Sequence, residues 1–282
     1  MLVLLCQCVI LAVSIFATAN AQYSFSNEPV DVIIPCGPRD KKILKLCIEG
    51  IKKNIPYRRL IVLSPHKYSS EAEWFNEALF PFTLYQVAFE LNKRSSSKAK
   101  SYLKKNTNKA GWYYQQLLKL YAPFVIPGIS SNVLVVDADL IFLNPVEFMN
   151  ENNAPLLNST SFEYHWPYFT HAKRLIPGFK RNELGLSGIS HHMLFQKPVI
   201  EALFSTVERH HNLPFWKAFL MQVKRPYDAD ASEYEIYINF LLSTSDQAEW
   251  RPLQWQNVDK IDNLEELRES GFDFVTYHWY LR

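Results

Sequence analysis

The sequence predicts an α/β fold in which helices alternate with buried strands. Of its 282 residues, 48% are hydrophobic and 21% charged, a globular composition that excludes a disordered chain. Short apolar runs with β-branched residues at 30–35, 60–63 and 133–136 are typical of buried strands. Segments with apolar residues at helical spacing lie between these runs. This alternation predicts βαβ units in the N-terminal half.

The elements follow one another without an obvious linker. The predicted strands comprise residues 30–35, 60–63, 83–88 and 133–136, with a resumed apolar run at 140–143. The predicted helices comprise residues 40–53, 70–78, 111–121, 198–210, 214–222 and 233–243. We therefore expect a single domain over 22–282. Its first half is placed at 28–145, and its second half at 146–282 would supply the substrate face.

Residues 1–21 form an apolar leader that ends in the small-x-small pattern Ala19-Asn20-Ala21. This pattern predicts a cleaved secretory signal, with a retained signal anchor as the alternative, and places the mature chain in the secretory lumen or outside the cell. After cleavage no permanent membrane span is expected. The sequon Asn158-Ser159-Thr160 agrees with that route and predicts a glycoprotein.

The charge balance and the glycine spacing exclude two classes of function. A net charge of +2 does not favour nucleic acid as a partner. The eight glycines spell neither G-x-G-x-x-G nor a Walker loop, so a glycine-cradled nucleotide is not expected. A basic stretch at 92–109 contains seven Lys and Arg and no acid. It predicts a solvated loop, with a lid or a phosphate-attracting surface as the alternative.

Two acids follow the most apolar strand. Asp137 and Asp139 are two residues apart, so on an extended chain they point the same way and can share one site. Like charges held so close require a cation between them, and oxygen ligands favour Mg²⁺ or Mn²⁺. Ligands of open α/β sheets collect at the carboxyl ends of strands, where these acids lie. The alternative is a polar turn between two strands.

This D-x-D element, the preceding helix and the opening strand that ends in Pro35-Cys36-Gly37-Pro38-Arg39-Asp40 resemble the GT-A family of nucleotide-sugar glycosyltransferases. The resemblance implies a GT-A-like, Rossmann-related α/β/α sandwich with a mixed, mostly parallel central sheet. It also implies transfer of a sugar from a UDP- or GDP-sugar to a glycan, protein or lipid acceptor. In that family Mn²⁺ or Mg²⁺ on the D-x-D element holds the donor diphosphate.

The resemblance assigns roles by position. It implies that the metal ligands are Asp137, Asp139 and His278, with Asp137 also near the donor ribose. It implies that the donor is contacted by Pro35, Arg39, Asp40, Tyr114, Gln115, Asp137, Gly188, His191 and His192. Because neighbouring residues on a strand face opposite ways, only one of the two histidines is expected to face the cleft. His278 has an alternative interpretation as a buried histidine among aromatic residues.

An inverting transfer needs a base, and the acidic segment at 228–235 is its best source. The candidates are Asp230, Glu233 and Glu235. Ser232 and Glu235 also have the spacing of a capping box, in which Glu235 only closes a helix N-terminus. Glu233 and Asp230 are therefore favoured over Glu235. A retaining transfer would need no such base.

Two other function classes stay open. An acid pair after an apolar strand also begins the motif of haloacid-dehalogenase-like phosphatases, in which the first aspartate is the nucleophile. Here Ile141 stands where that family has Thr or Val, and its distal motif is missing. The other alternative is a secreted carbohydrate- or nucleotide-binding protein without turnover. The sequence leaves the donor sugar and the acceptor open.

Overall fold

The computed structural model describes residues 22–158, 164–181 and 185–278, so the predicted leader at 1–21 lies outside the described residues. The fold is α/β, with a five-stranded sheet of order β3-β2-β1-β4-β7 at its centre. Its strands are β1 Asp31–Pro35, β2 Arg59–Ser64, β3 Glu73–Asn76, β4 Asn132–Val136 and β7 His192–Gln196. Only β7 runs antiparallel to its neighbour. The predicted mixed, mostly parallel sheet is confirmed.

Helices cover both faces of this sheet. They are α1 Leu44–Asn54, α2 Leu84–Leu91, α3 Ser96–Val125, α4 Trp166–Leu175, α5 Lys197–His211, α6 Phe215–Met221, α7 Glu233–Thr244 and α8 Leu264–Glu269. Alternate residues of β1 enter different cores, Ile33 on the face that packs against α3 and α5, and Ile34 on the α1 face. This alternation is the period-two geometry of a strand buried on both sides.

Two smaller sheets flank the central one. The remaining strands are β5 Leu140–Phe142, β6 Leu156–Leu157, β8 Glu249–Trp250, β9 Trp255–Asn257 and β10 Phe274–Thr276. β10 pairs with β5 antiparallel and with β9 in parallel, and β6 pairs with β8. A Cβ on Gly50 of α1 would lie 2.8 Å from the Phe142 carbonyl oxygen, so only glycine lets α1 pack this closely on β5. This packing ties the segment after the acid pair to the main sheet.

Three predicted segments have a different structure. Residues 70–78 contain the edge strand β3 and a 3-10 turn at Glu77–Leu79 instead of a helix, because pairing with β2 outweighs the local helix signal. Residues 83–88 belong to helix α2, which starts at a capping box formed by Thr83 and Gln86. Most of the basic stretch at 92–109 is the first part of α3 and not a loop.

Other predicted features concern the leader and its route. In the part of the chain that the structure describes, no helix is long and apolar enough to span a membrane. Asn158 is 3% exposed, and its Oδ1 accepts a hydrogen bond from the Leu253 N–H at 2.9 Å. Because its amide is enclosed by the fold, Asn158 does not suit a glycan, and the other sequon residues lie outside the described ranges. The secretory signal stays a prediction.

Candidate active site

The acid pair lines a cavity of about 350 Å³ at the carboxyl ends of β1 and β4. We call it the acidic cavity. It is lined by Asp40, Trp112, Gln115, Gln116, Lys119, Asp137, Ala138, Asp139, Tyr168, Ile189, His191, Ser232, Glu233, Tyr234 and His278. The antiparallel strand β7 begins at this same edge, and the His191 carbonyl accepts a hydrogen bond from the Asp137 N–H at 2.9 Å. The topology therefore assembles lining residues from seven separate segments of the described chain.

Asp137 is held by a buried lysine of helix α3. Lys119 Nζ lies 2.6 Å from Asp137 Oδ1 and 2.6 Å from Glu233 Oε1. Burial alone would raise the pKa of Asp137, but the Lys119 charge and the hydrogen bond from His191 hold it well below its usual range. Burial opposes the charge on Lys119, yet the two carboxylates raise its pKa. Asp137 is therefore an ionised carboxylate that the protein itself neutralises.

Asp139 has a separate partner at the C-terminal end of the described chain. Its Oδ2 lies 3.0 Å from His278 Nδ1, and the Tyr277 N–H donates to the Asp139 carbonyl at 2.9 Å. Each acid therefore has its own side-chain partner in this structure, and the metal site at the two acids stays a prediction.

Asp139 and His278 together form the part of the site that suits a metal ion. Among the described residues, no three His, Cys, Asp or Glu side chains already surround a common point. Asp139 and His278 offer a carboxylate and an imidazole side by side in the cavity wall. Mg²⁺ and similar divalent ions commonly bind one or two protein ligands and complete their coordination shell with water and substrate phosphates. The pair fits an ion of that kind.

The two neighbouring histidines face opposite ways, although His191 precedes strand β7 and so is not part of the strand alternation from which this was expected. His191 lines the acidic cavity, with its Nδ1 3.6 Å from Asp137 Oδ2. Its φ of 58° is left-handed, a conformation that costs energy for a residue with a side chain and is frequent at functional sites. His192 packs against Phe142, Phe148 and Phe274, and burial lowers its pKa to about 3. His192 is therefore a core residue and not a donor contact.

Of the three predicted catalytic carboxylates, only Glu233 lines the cavity. Burial raises the pKa of Glu233, while Lys119 opposes that rise. Asp230 lies outside, where it accepts hydrogen bonds from the Lys224 N–H and the Arg225 side chain and so fixes the loop before α7. It is no longer a candidate base.

Glu235 also lies outside the acidic cavity. It accepts hydrogen bonds from the Ser187 hydroxyl at 2.6 Å and the Gly188 N–H at 3.0 Å. Ser232 caps α7 as the capping-box alternative predicts, but Glu235 braces the facing loop instead of returning to the cap. A Cβ on Gly188 would lie 2.6 Å from Ile238 Cγ2, so this glycine serves packing against α7 and not ligand contact.

A second cavity, of about 530 Å³, adjoins the acidic one, and we call it the central cavity. Its walls include the five residues predicted to contact the donor nucleotide, namely Pro35, Arg39, Asp40, Tyr114 and Gln115. Tyr114 donates to the Glu77 carbonyl at 3.3 Å, and Gln115 donates to the Pro35 carbonyl at 3.3 Å. The two cavities share Asp40, Trp112 and Gln115. One elongated ligand could therefore occupy both.

Lys119 and Gln116 are among the lining residues of the acidic cavity that sequence reasoning missed. Lys119 stands among Leu117, Leu118 and Leu120 on α3, and a single lysine in such an apolar run was the available signal. Gln116 is 2% exposed, and neither its Nε2 nor its Oε1 has a hydrogen-bond partner among the described residues. No sequence pattern shows an unsatisfied amide of this kind.

Comparisons with solved structures find two glycosyltransferases among the similar folds. Mouse xyloside xylosyltransferase 1 is 9% identical with a TM-score of 0.43, covering 90% of this chain and 98% of that one. An active-site mutant of LgtC is 10% identical with a TM-score of 0.41, covering 88% and 86%. A sequence search of curated proteins finds no match. Residues 44–266 match the family of unknown function DUF6492, and the chain belongs to that family.

Proposed function

We propose that this protein is a glycosyltransferase that moves a sugar from a nucleoside diphosphate sugar to an acceptor. The observation that carries the proposal is the pair of adjoining cavities at the carboxyl ends of the parallel strands. The central cavity is large and partly aromatic, which suits a nucleoside, and the acidic cavity gathers the ionisable groups. The fold and the D-x-D element support the same activity. No observation on the described residues favours a phosphatase or a binding protein without turnover.

The charge of the acidic cavity explains why a divalent ion would accompany the donor. Four carboxylates and one ammonium among its lining residues give a formal charge of −3 with neutral histidines. A bare diphosphate would be repelled, so the phosphates need a compensating cation. We propose that Asp139 and His278 hold Mn²⁺ or Mg²⁺. When bound, the ion supplies charge stabilisation for the departing nucleoside diphosphate.

The remaining residues position and move protons. Lys119 fixes Asp137 and Glu233 at 2.6 Å each, so both carboxylates enter the reaction already oriented. Glu233 is the carboxylate that can accept the proton of an attacking acceptor hydroxyl, because burial raises its pKa and makes it a stronger base. The amide of Gln116 can hydrogen-bond a sugar hydroxyl or a phosphate oxygen in the cavity.

The proposal is tested with the variant Asp139→Asn, and its control is Asp259→Asn, a substitution of an exposed acid that lines neither the acidic nor the central cavity. We expect UDP or GDP to raise the melting temperature of the wild-type protein more with Mn²⁺ than without it. We also expect the wild-type protein to release the nucleoside diphosphate from a UDP- or GDP-sugar. The Asp139→Asn variant should lose this activity, and the Asp259→Asn variant should keep it. Turnover that persists in the presence of a chelator would refute the metal role. Absence of any nucleotide-dependent stabilisation would refute the glycosyltransferase proposal.

A further inference from the structure

A third cavity, of about 520 Å³, lies beside the central one and has the opposite charge to the acidic cavity. We call it the basic cavity. It is lined by Arg39, Lys104, Lys105, Asn106, Thr107, Asn108, Lys109, Trp112 and Tyr227. We propose that it binds an anionic group, a sulfate, phosphate or carboxylate, carried by the sugar acceptor. The acceptor role rests on the proposed function, whereas the affinity for anions does not.

The cations of the basic cavity come from two distant parts of the chain. Arg39 follows strand β1, and the three lysines belong to helix α3. No acidic residue of the described part of the chain lines this cavity. Burial lowers the pKa of Lys109, and the nearby Asp228 opposes that lowering only in part. The three lysines of α3 therefore give the cavity a positive potential that attracts an anion.

The helix backbone is adapted to this arrangement. Asn106 has φ −136° and ψ 36°, outside the helical region, so α3 is broken between Lys105 and Lys109. Residues 104 and 109 would lie on different faces of a regular helix, which has 3.6 residues per turn. The break lets both line one cavity. The basic stretch is therefore part of a shaped concavity and not only a solvated helix face.

The position of the cavity favours the acceptor over the donor as the source of the anion. The donor diphosphate is bonded directly to the transferred sugar, so it must lie at the acidic cavity with the reacting groups. Trp112 lines all three cavities, so an acceptor whose reacting hydroxyl lies in the acidic cavity can extend past Trp112 into the basic one. The basic cavity also shares Arg39, Thr107 and Asn108 with the central cavity, so nucleotide binding has to be measured beside acceptor binding. The 59% exposed Tyr227 adds aromatic surface on which a sugar ring can pack, and Lys109 Nζ lies 5.1 Å from the centre of the Trp112 ring. An anionic sugar matches this combination.

Titration calorimetry of the full chain with disaccharides tests the proposal. The probes are a sulfated, a phosphorylated and a uronate-bearing disaccharide, with the neutral disaccharide as reference. The variant is Lys104→Gln with Lys105→Gln. Its matched control is Lys98→Gln with Lys100→Gln, which removes the same charge from exposed positions of the same helix. Binding of UDP and GDP with Mn²⁺ is measured in parallel as a reporter of the central cavity.

We expect at least one anionic probe to bind wild-type protein about tenfold more tightly than the neutral one, with affinity falling as salt rises. The cavity variant should lose this preference, the control should keep it, and nucleotide binding should be unchanged in both. Three results would overturn the proposal: equal losses in variant and control, no preference for any anionic probe, or joint loss of nucleotide binding, which would assign the cavity to donor phosphates. Anion selectivity without any nucleotide binding would refute the proposed function and leave the anion site standing.

Discussion

Replacing Gln116 by leucine should stabilise the free protein while weakening ligand binding. Gln116 is 2% exposed and lines the acidic cavity, and both polar atoms of its amide lack a hydrogen-bond partner among the described residues. A buried polar group without a partner costs about 1–3 kcal/mol. Leucine has a similar volume and no polar atom, so Gln116→Leu should raise the free energy of unfolding by about that amount.

The chain offers a matched control in Gln196, a second buried glutamine. Its Nε2 donates to Asn132 Oδ1 at 2.9 Å and to the Asn153 carbonyl at 2.8 Å. Gln196→Leu breaks both hydrogen bonds and leaves the Asn132 acceptor buried, but it also removes the Gln196 Oε1 atom, which has no partner among the described residues. The removal offsets part of the loss, so Gln196→Leu should destabilise the protein by about 1 kcal/mol. The same substitution at the same burial is thus expected to have opposite signs at the two positions.

Chemical denaturation of both variants measures their free energies of unfolding, and the dependence of each on denaturant concentration is compared with that of the wild type. Thermal melting should agree, at about 2–4 °C for each kcal/mol in a chain of this size. Nucleotide affinity in the presence of Mn²⁺ should fall by about two- to tenfold in Gln116→Leu, the worth of one neutral hydrogen bond. If Gln116→Leu destabilises the protein as much as Gln196→Leu does, the amide has partners in the folded state and the reasoning is wrong.

The remaining predictions concern the acid pair and a buried histidine. Asp137→Asn should destabilise the protein by about 3 kcal/mol, because it removes one of the two carboxylates that neutralise buried Lys119. Asp139→Asn should lower the free energy of unfolding by less than about 1 kcal/mol. Equal losses in denaturation experiments would contradict the separate roles of the two acids. The His171 Nε2–H donates to the Phe219 carbonyl at 2.9 Å, and burial lowers the pKa of His171 from 6.5 to about 4. Because the unfolded chain takes up this proton below pH 6.5 and the folded chain only below about 4, stability should fall by about 3 kcal/mol across that window as pH falls. A His171→Phe variant should lose that part of the pH dependence, and an unchanged profile would show that His171 is not its source.

The elements predictable from the sequence are those whose local pattern agrees with their tertiary role. β4 is apolar throughout because both its faces are buried, and α7 begins at a serine cap. β3 could not be recognised, because it is a short edge strand of half-exposed residues whose conformation depends on pairing with β2. The apolar residues of the segment 83–88 are typical of a strand, but Thr83 and Gln86 have the spacing of a capping box and begin helix α2.

The position of the candidate site was predictable from the sequence, but the contacts between its side chains were not. Both acids, His191 and His278 line the cavity expected at the strand ends. The partner of Asp137 was not predictable, since Lys119 reaches it from 18 residues away and reaches Glu233 from 114 residues away. Such contacts depend on how helices pack on the sheet. Asp230 and Glu235 show the same limit, because their charges serve the loops at 223–230 and 185–190.

The two acids of the D-x-D element therefore cannot be equivalent. The Lys119 Nζ lies 2.6 Å from Asp137 Oδ1. A ligand that displaced Asp137 from this contact would leave the buried lysine paired with the Glu233 carboxylate alone. Asp139 faces an imidazole at 3.0 Å in the cavity wall, and an imidazole can exchange a hydrogen bond for a metal bond. A cation that enters the cavity would therefore bind at Asp139 first. We therefore expect the first acid of the motif to act with Lys119 as part of the framework, and the second to be the one that exchanges its partner for a cation.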